Sequence, residues 1–232
     1  MAQQEQAVIL PRATEAEFMS FPSMLERAAA RITPGTIIDV GASDGCWSIM
    51  AHRVWPAAKL LLIEANPVYA EARARMLAGI EHRFVEALAC ADDGASLVRF
   101  SADNPLQGVY DAESEAGASM VKRVTIDELM ECDLPAPYLI KLDTHGREHE
   151  ILRGARETLR QTCALIIEVY TWSLGDNSLR AVELLPLIER EHDFLPADFC
   201  DPMYRPFDGR VGQVDCLFEP RSAEGMNTSR WA

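Results

Sequence analysis

Thr36-Ile-Ile-Asp-Val-Gly-Ala-Ser-Asp-Gly45 runs from a β-branched apolar stretch into an acidic turn bounded by glycines, and its reading decides the fold. Pro34-Gly35 before it and Gly41 within it punctuate a short buried strand over 36–40. A helix follows over about 44–55, with Trp47, Ile49, Met50, Val54 and Trp55 at its apolar positions. Lys59-Leu-Leu-Leu-Ile-Glu64 is a second strand, and Pro67 opens a helix to about Gly79, proline being tolerated in a first turn. Strand, helix, strand with apolar runs throughout is the pattern of a parallel sheet covered on both faces.

The same rhythm continues along the chain. Arg83-Phe-Val-Glu86 and Ser96-Leu-Val-Arg-Phe100 read as strands, and Thr125 with Glu128 three residues on forms a capping box for a short helix. Tyr138-Leu-Ile-Lys-Leu-Asp143 is a strand, about 146–160 a helix and Ala164-Leu-Ile-Ile-Glu-Val169 a strand. A last helix spans about 178–191 with a kink expected at Pro186. Phe194-Leu195 and Val214-Asp-Cys-Leu-Phe218 supply a final antiparallel pair. The prediction is one doubly wound, Rossmann-like α/β domain over 34–220, with an N-terminal helical extension over 1–33 and a flexible tail over 221–232. Residues 101–120, rich in Ser, Ala, Gly, Asp and Glu, read as a long polar loop.

Composition sets outer bounds. Apolar residues make up 48% and charged residues 25% of 232, which excludes a disordered, collagen-like or coiled-coil chain. The net charge of −14, with 19 arginines and only three lysines scattered rather than banded, argues against nucleic acid and anionic lipid as partners. No apolar run approaches the length of a membrane span, and Met-Ala-Gln-Gln-Glu-Gln lacks the basic start of a secretion signal, so a cytoplasmic location is expected. The six cysteines stand at least 16 residues apart with no C-x-x-C, the spacing of core side chains rather than of a disulfide or zinc framework.

In an open parallel sheet, ligands bind beyond the carboxyl ends of the strands. At the first strand end, Asp39, Gly41, Ala42, Asp44 and Gly45 form a turn with backbone accessible to a ligand and free helix-start N–H groups. The triple-glycine spacing of a pyrophosphate loop is missing and the turn is acidic, which disfavours NAD. A sulfonium with an amino-acid ammonium suits those carboxylates. Glu64, ending the second strand, is placed to accept hydrogen bonds from a ribose diol. Together these features fit S-adenosylmethionine, with S-adenosylhomocysteine as product.

The blocks Ile38-Asp-Val-Gly-Ala-Ser-Asp-Gly45, Glu64-Ala-Asn-Pro67, Thr125-Ile-Asp-Glu-Leu129, Ile140-Lys-Leu-Asp-Thr-His-Gly-Arg-Glu148, Leu152-Arg-Gly-Ala155, Ile166-Ile-Glu-Val169 and Gly212-Gln-Val-Asp-Cys-Leu-Phe218 occur in this order. In these blocks the chain resembles the FkbM-type methyltransferases over about 36–219. The resemblance implies a class I S-adenosylmethionine-dependent fold with a seven-stranded sheet, and O-methylation of sugar or natural-product hydroxyls. It carries Asp39, Gly41 and Glu64 over as cofactor contacts. Where His145 stands, that family often has an acidic residue or Gln, so the resemblance assigns no base.

A hydroxyl, with a pKa near water's value of about 15.7, needs a base or a metal to become a nucleophile. His145 can take the proton, and Asp143 can orient it, contact the cofactor or ligate a metal, with Glu168 able to join. A divalent metal is compatible with these residues but not indicated, and a homo-oligomer is equally compatible with the sequence. The acceptor is then a small-molecule or sugar hydroxyl, selected by the 101–120 loop, the N-terminal helix and Trp172. Two alternatives stand beside this reading. His145-Gly-Arg-Glu-His149 fits H-x-x-E-H, a zinc-hydrolase pattern, and a non-catalytic cofactor-binding module shares the same fold signals. Asn66-Pro-Val-Tyr69 has a likeness to the Asn-Pro-Pro-Tyr of amino-methylating enzymes but follows the wrong strand, which favours oxygen over nitrogen as acceptor.

Overall fold

The computed structural model describes residues 18–91, 97–101, 118–130, 134–175 and 178–228. Seven strands build the main sheet: β1 (Thr36–Val40), β2 (Lys59–Glu64), β3 (Arg83–Glu86), β7 (Tyr138–Leu142), β8 (Thr162–Tyr170), β9 (Phe194–Tyr204) and β10 (Val211–Pro220). Their spatial order is β3-β2-β1-β7-β8-β10-β9. The first five run parallel, and β10 lies antiparallel between β8 and β9, as the sequence predicts for the final pair. A second sheet pairs β4 (Leu88–Ala89) with β6 (Ala118–Val124) and β6 with β5 (Leu97–Ser101).

Both faces of the main sheet are covered because most successive residues in the central strands are apolar, with Asp39, Lys141 and Glu168 as buried exceptions toward the carboxyl edge. Ile38, Val40, Ile140, Leu142, Leu165 and Ile167 pack under the helices α5 (Glu148–Arg153), α6 (Arg156–Leu159) and α7 (Ala181–His192). Ile37, Leu60, Leu62, Leu139, Ile166 and Leu217 pack under α1 (Phe21–Ala29) and α2 (Cys46–Val54). Two ion pairs tie α1 and the turn after it to the last strands: Arg27 to Asp198 at 2.8 Å and Arg31 to Glu219 at 2.8 Å.

Several sequence-based boundaries change. The helix expected over 146–160 is two short helices, α5 and α6, separated at Gly154, where a Cβ would lie 2.1 Å from the Cys90 carbonyl oxygen. The helix after Pro67 begins as a 3₁₀ turn (Pro67–Tyr69) and continues as α3 (Ala70–Met76). The capping box of α4 (Ile126–Leu129) forms as read, with Thr125 Oγ1 accepting from Glu128 N at 3.1 Å and Glu128 accepting from Thr125 N at 2.7 Å. Most of the expected polar loop, 102–117, lies outside the described residues, and its flanks at 101 and 118–120 are strand. Among the described cysteines Cys90, Cys200 and Cys216 are buried. No helix among the described residues is long and apolar enough to cross a membrane.

Candidate active site

A cavity of about 520 Å³ opens along the carboxyl edge of the main sheet, within the range of small-ligand sites. Its wall runs from Glu64 and Asn66 after β2, through Gly41 and Ser43 after β1 and Asp143 to His145 after β7, to Glu168 and Tyr170 on β8, Gln213 on β10 and Met203 on β9. At about 4.8 Å per strand, β2 and β8 stand about 14 Å apart across this edge.

The glycine turn is held from within. Gly41 N and Ala42 N both donate to the Ile63 carbonyl at 2.9 and 3.2 Å, and Ser43 N donates to Glu64 Oε2 at 2.8 Å. The expectation of free amides in this turn is therefore corrected: β2 accepts them. Gly41 and Ser43 line the cavity, whereas Asp39, Ala42, Asp44 and Gly45 lie outside the lining and support it. Gly41, at φ +77°, sits so close to β7 that a Cβ would fall 2.0 Å from the Asp143 carbonyl oxygen. Asp44 Oδ1 accepts from Cys46 N at 3.0 Å at the start of α2. Ser43 is also in the left-handed region, at φ 47°, and the Arg73 guanidinium, stacked 3.8 Å over Phe84, donates to its carbonyl at 2.8 Å.

Asp39 is buried and accepts from Ser48 Oγ at 2.6 Å, with Lys141 Nζ 3.8 Å away. Burial pushes its carboxyl up, against the pull of Lys141 and Ser48. Its place is thus the joint between β1, α2 and β7. Glu64 lines the cavity: each oxygen accepts one backbone amide, Ser43 N at 2.8 Å and Asn66 N at 2.7 Å, and each retains a lone pair that a diol could use. Asn66 accepts from Val68 N through Oδ1, which leaves its buried Nδ2 a donor with no protein acceptor, in the cavity wall beside Glu64. A carboxylate with spare lone pairs and an orphaned amide donor fit the ribose and base of a nucleoside.

On the other side of Gly41 the turn after β7 brings three predicted residues together. His145 at φ 54° and Gly146 at φ +100° are consecutive left-handed residues, and they swing the imidazole over the end of β8. A non-glycine residue held there costs of order 1–3 kcal/mol, a strain that gathers at functional sites. His145 Nδ1 lies 2.6 Å from Tyr170 Oη and 3.3 Å from Glu168 Oε2, and Nε2 lies 3.9 Å from Asp143 Oδ1, beyond hydrogen-bond reach. Tyr170 donates its one hydroxyl proton to Glu168 Oε2 and Gln213 donates to Glu168 Oε1. With the phenol proton committed, Nδ1 must be the donor in the neutral ring, so the lone pair sits on Nε2.

Asp143 Oδ2 accepts from Lys141 Nζ at 2.8 Å. Burial alone would raise the Asp143 carboxyl, but the Lys141 ammonium outweighs it and holds it below the ordinary carboxylate range. Asp143, His145 and Glu168 could offer one ligand atom each to a metal, all within 4.8 Å of one another. Hydrogen bonds from Lys141, Tyr170 and Gln213 engage both carboxylates and tie them, with His145, into one side-chain network. The H-x-x-E-H pattern does not share one helix face: His145 precedes α5, His149 lies on it, and Glu148 turns inward to accept from Gly146 N at 2.9 Å.

Lys141, Tyr170 and Gln213 escape sequence reading. Lys141 sits mid-strand in an apolar run, Tyr170 follows Glu168 by two residues on the same face of β8, and Gln213 meets Glu168 only through the β8–β10 pairing, in which Asp215 opposes Glu168. Trp172, expected to select substrate, does line the cavity, with Leu174 and Met203.

Among solved structures, this chain is similar to a protein from Klebsiella pneumoniae (TM-score 0.51, 14% identity, 91% of this chain and 83% of that one). It is also similar to TrmK of M. capricolum in complex with S-adenosylhomocysteine (TM-score 0.50, 11% identity, 89% and 70%). A third is the O-methyltransferase TomG from Streptomyces achromogenes in complex with S-adenosylmethionine (TM-score 0.49, 15% identity, 86% and 79%). At such identities the likeness is one of fold. No curated protein sequence matches the chain. The methyltransferase FkbM domain matches residues 39–196, from the buried acid of β1 to the start of β9. With the strand order and the edge cavity in place, the match over more than half of its length shows that this chain belongs to the FkbM methyltransferase family.

Proposed function

We propose that this S-adenosylmethionine-dependent methyltransferase acts on oxygen, methylating a hydroxyl of a small molecule or sugar. The observation that carries the reading is His145, tied through Nδ1 to Glu168 and Tyr170 so that Nε2 can take a proton at the cavity wall. A neutral amine already offers a lone pair, whereas a hydroxyl gains from a base placed beside it. Glu64 and Asn66 would hold the nucleoside half of the cofactor, and Gly41 and Asp143 would border its methionine half. The bound cofactor supplies an electrophilic methyl group on a sulfonium. Asp143, kept ionised by Lys141, favours positive charge nearby, and in-line attack would bring the acceptor oxygen and the methyl together beside it in this cavity. A cytoplasmic setting and an acceptor without nucleic acid or membrane character accord with the net charge of −14.

Thermal unfolding with S-adenosylhomocysteine tests the cofactor half. At 100 times its dissociation constant the ligand should add about 2.7 kcal/mol, or about 5–10 °C for a chain of this size. Absence of any shift in the folded protein would remove the cavity assignment. His145→Ala should keep that shift and lower methyl transfer about 10²–10⁴-fold, and unchanged turnover would remove His145 as the base.

A further inference from the structure

We infer that the acceptor hydroxyl is carried by an uncharged aromatic ring, held against Trp172, Leu174 and Met203. This rests on the methyl-transfer reading above and narrows it. The cavity changes character along the sheet edge. Its β1–β2 end presents Glu64, Asn66 and the glycine turn, while beyond the His145 network the wall is built from Tyr170, Trp172, Leu174 and Met203. Trp172 is 40% and Met203 57% exposed, a large share for apolar side chains that border a site. An indole face and a thioether offer a flat, polarisable surface suited to stacking and sulfur–aromatic contact. A sugar ring, with a polar group on nearly every carbon, finds few polar partners on Trp172, Leu174 and Met203 themselves, whereas an aromatic ring can cover them with apolar surface.

Charge narrows the class further. Asp143 and Glu168 face this end, and Arg147, the cation in the lining, is paired with Glu150 at 2.9 Å. Among the described residues, a carboxylated or phosphorylated acceptor would meet two carboxylates and an arginine already paired with Glu150. Proton affinity points the same way. An ordinary imidazole near 6.5 lies about 3.5 units below a phenol near 10, but about 9 units below an alkyl hydroxyl. The raised basicity of His145 narrows both gaps and leaves only the first within easy reach. In the step itself the phenolic proton passes to His145 Nε2, the oxygen bonds the methyl carbon, and the carbon–sulfur pair returns to sulfur to give the thioether.

The test uses four probes with labelled S-adenosylmethionine: 2-naphthol, its saturated analogue decahydro-2-naphthol, 6-hydroxy-2-naphthoate and methyl β-glucopyranoside. Transfer to 2-naphthol should exceed transfer to each of the others at least tenfold in kcat/KM. Trp172→Ala should raise KM for 2-naphthol about tenfold, with S-adenosylhomocysteine affinity unchanged. Equal or faster transfer to the glucopyranoside, a naphthol KM indifferent to both Trp172→Ala and Met203→Ala, or no transfer to 2-naphthol by protein that binds S-adenosylhomocysteine would each overturn the inference. Failure to bind S-adenosylhomocysteine would instead overturn the parent reading.

Discussion

At His145 burial disfavours the imidazolium, while the Glu168 hydrogen bond and the charges of Asp143, Glu168 and Glu148 favour it, and together these raise its pKa above the ordinary 6.5. A base must be neutral to act, so kcat/KM should climb with pH through a limb lying above 6.5. Glu168→Gln removes the charge and replaces one acceptor oxygen by an amide donor, and should move that limb to lower pH; an unmoved limb would show that another group titrates. Asp215 behaves differently. Burial first, then the neighbouring Glu168, push its carboxyl up to about 8. The folded chain then holds a proton that the unfolded chain has released by pH 5, so stability falls as pH rises from about 4 to about 8, by up to about 1.4 kcal/mol per unit. Asp215→Asn should flatten denaturant-measured stability over that interval and exceed the parent at pH 8. Residues that end strands, such as Glu64, Asp143 and His145, are legible because strand ends are where such sheets bind. Asp215 and Gln213 are not, because only the pairing of β10 with β8 brings them to Glu168.

The elements most readable in sequence are β1, β2, β7 and β8, whose largely apolar runs are what burial on both faces demands. Strand β9 shows only its first two residues to such a reading, since Pro196, Asp198, Asp201 and Pro202 interrupt it. It lies at the sheet edge, where a missing N–H leaves no ladder bond broken, and register shifts absorb the rest. Strand β6 hides for another reason: Lys122 and Arg123 sit in its run, and its partners β4 and β5 are distant in sequence. The first turn offers a sharper test of why its glycine is needed. Gly41→Ala would pay both for a positive φ and for a collision with the Asp143 carbonyl, whereas Gly79→Ala, at φ +82° with nothing within 4 Å, pays for φ alone. Gly79→Ala should cost about 1–2 kcal/mol and keep S-adenosylhomocysteine binding. Gly41→Ala should cost more and abolish binding, as read by melting and titration together, and equal costs would refute the close approach.

Over the whole molecule, 36 acidic residues against 22 basic ones repel one another in the compact state. Raising monovalent salt from about 0.01 to about 0.15 M shortens the screening length from about 30 to about 8 Å and should raise Tm. A fall in Tm would mean that surface ion pairs such as Lys59–Glu81 outweigh the global repulsion. The placement of β10 has a consequence in time as well as in space. The last strand of the sheet in chain order enters between two earlier ones, so β8 stays an open edge until residues near 220 have been synthesised. A nascent chain halted before residue 211 would carry the Glu64 end of the cavity but not the Gln213 clamp on Glu168. The acceptor half of the cavity thus closes only once β10 has been synthesised, after the cofactor half already has its strands.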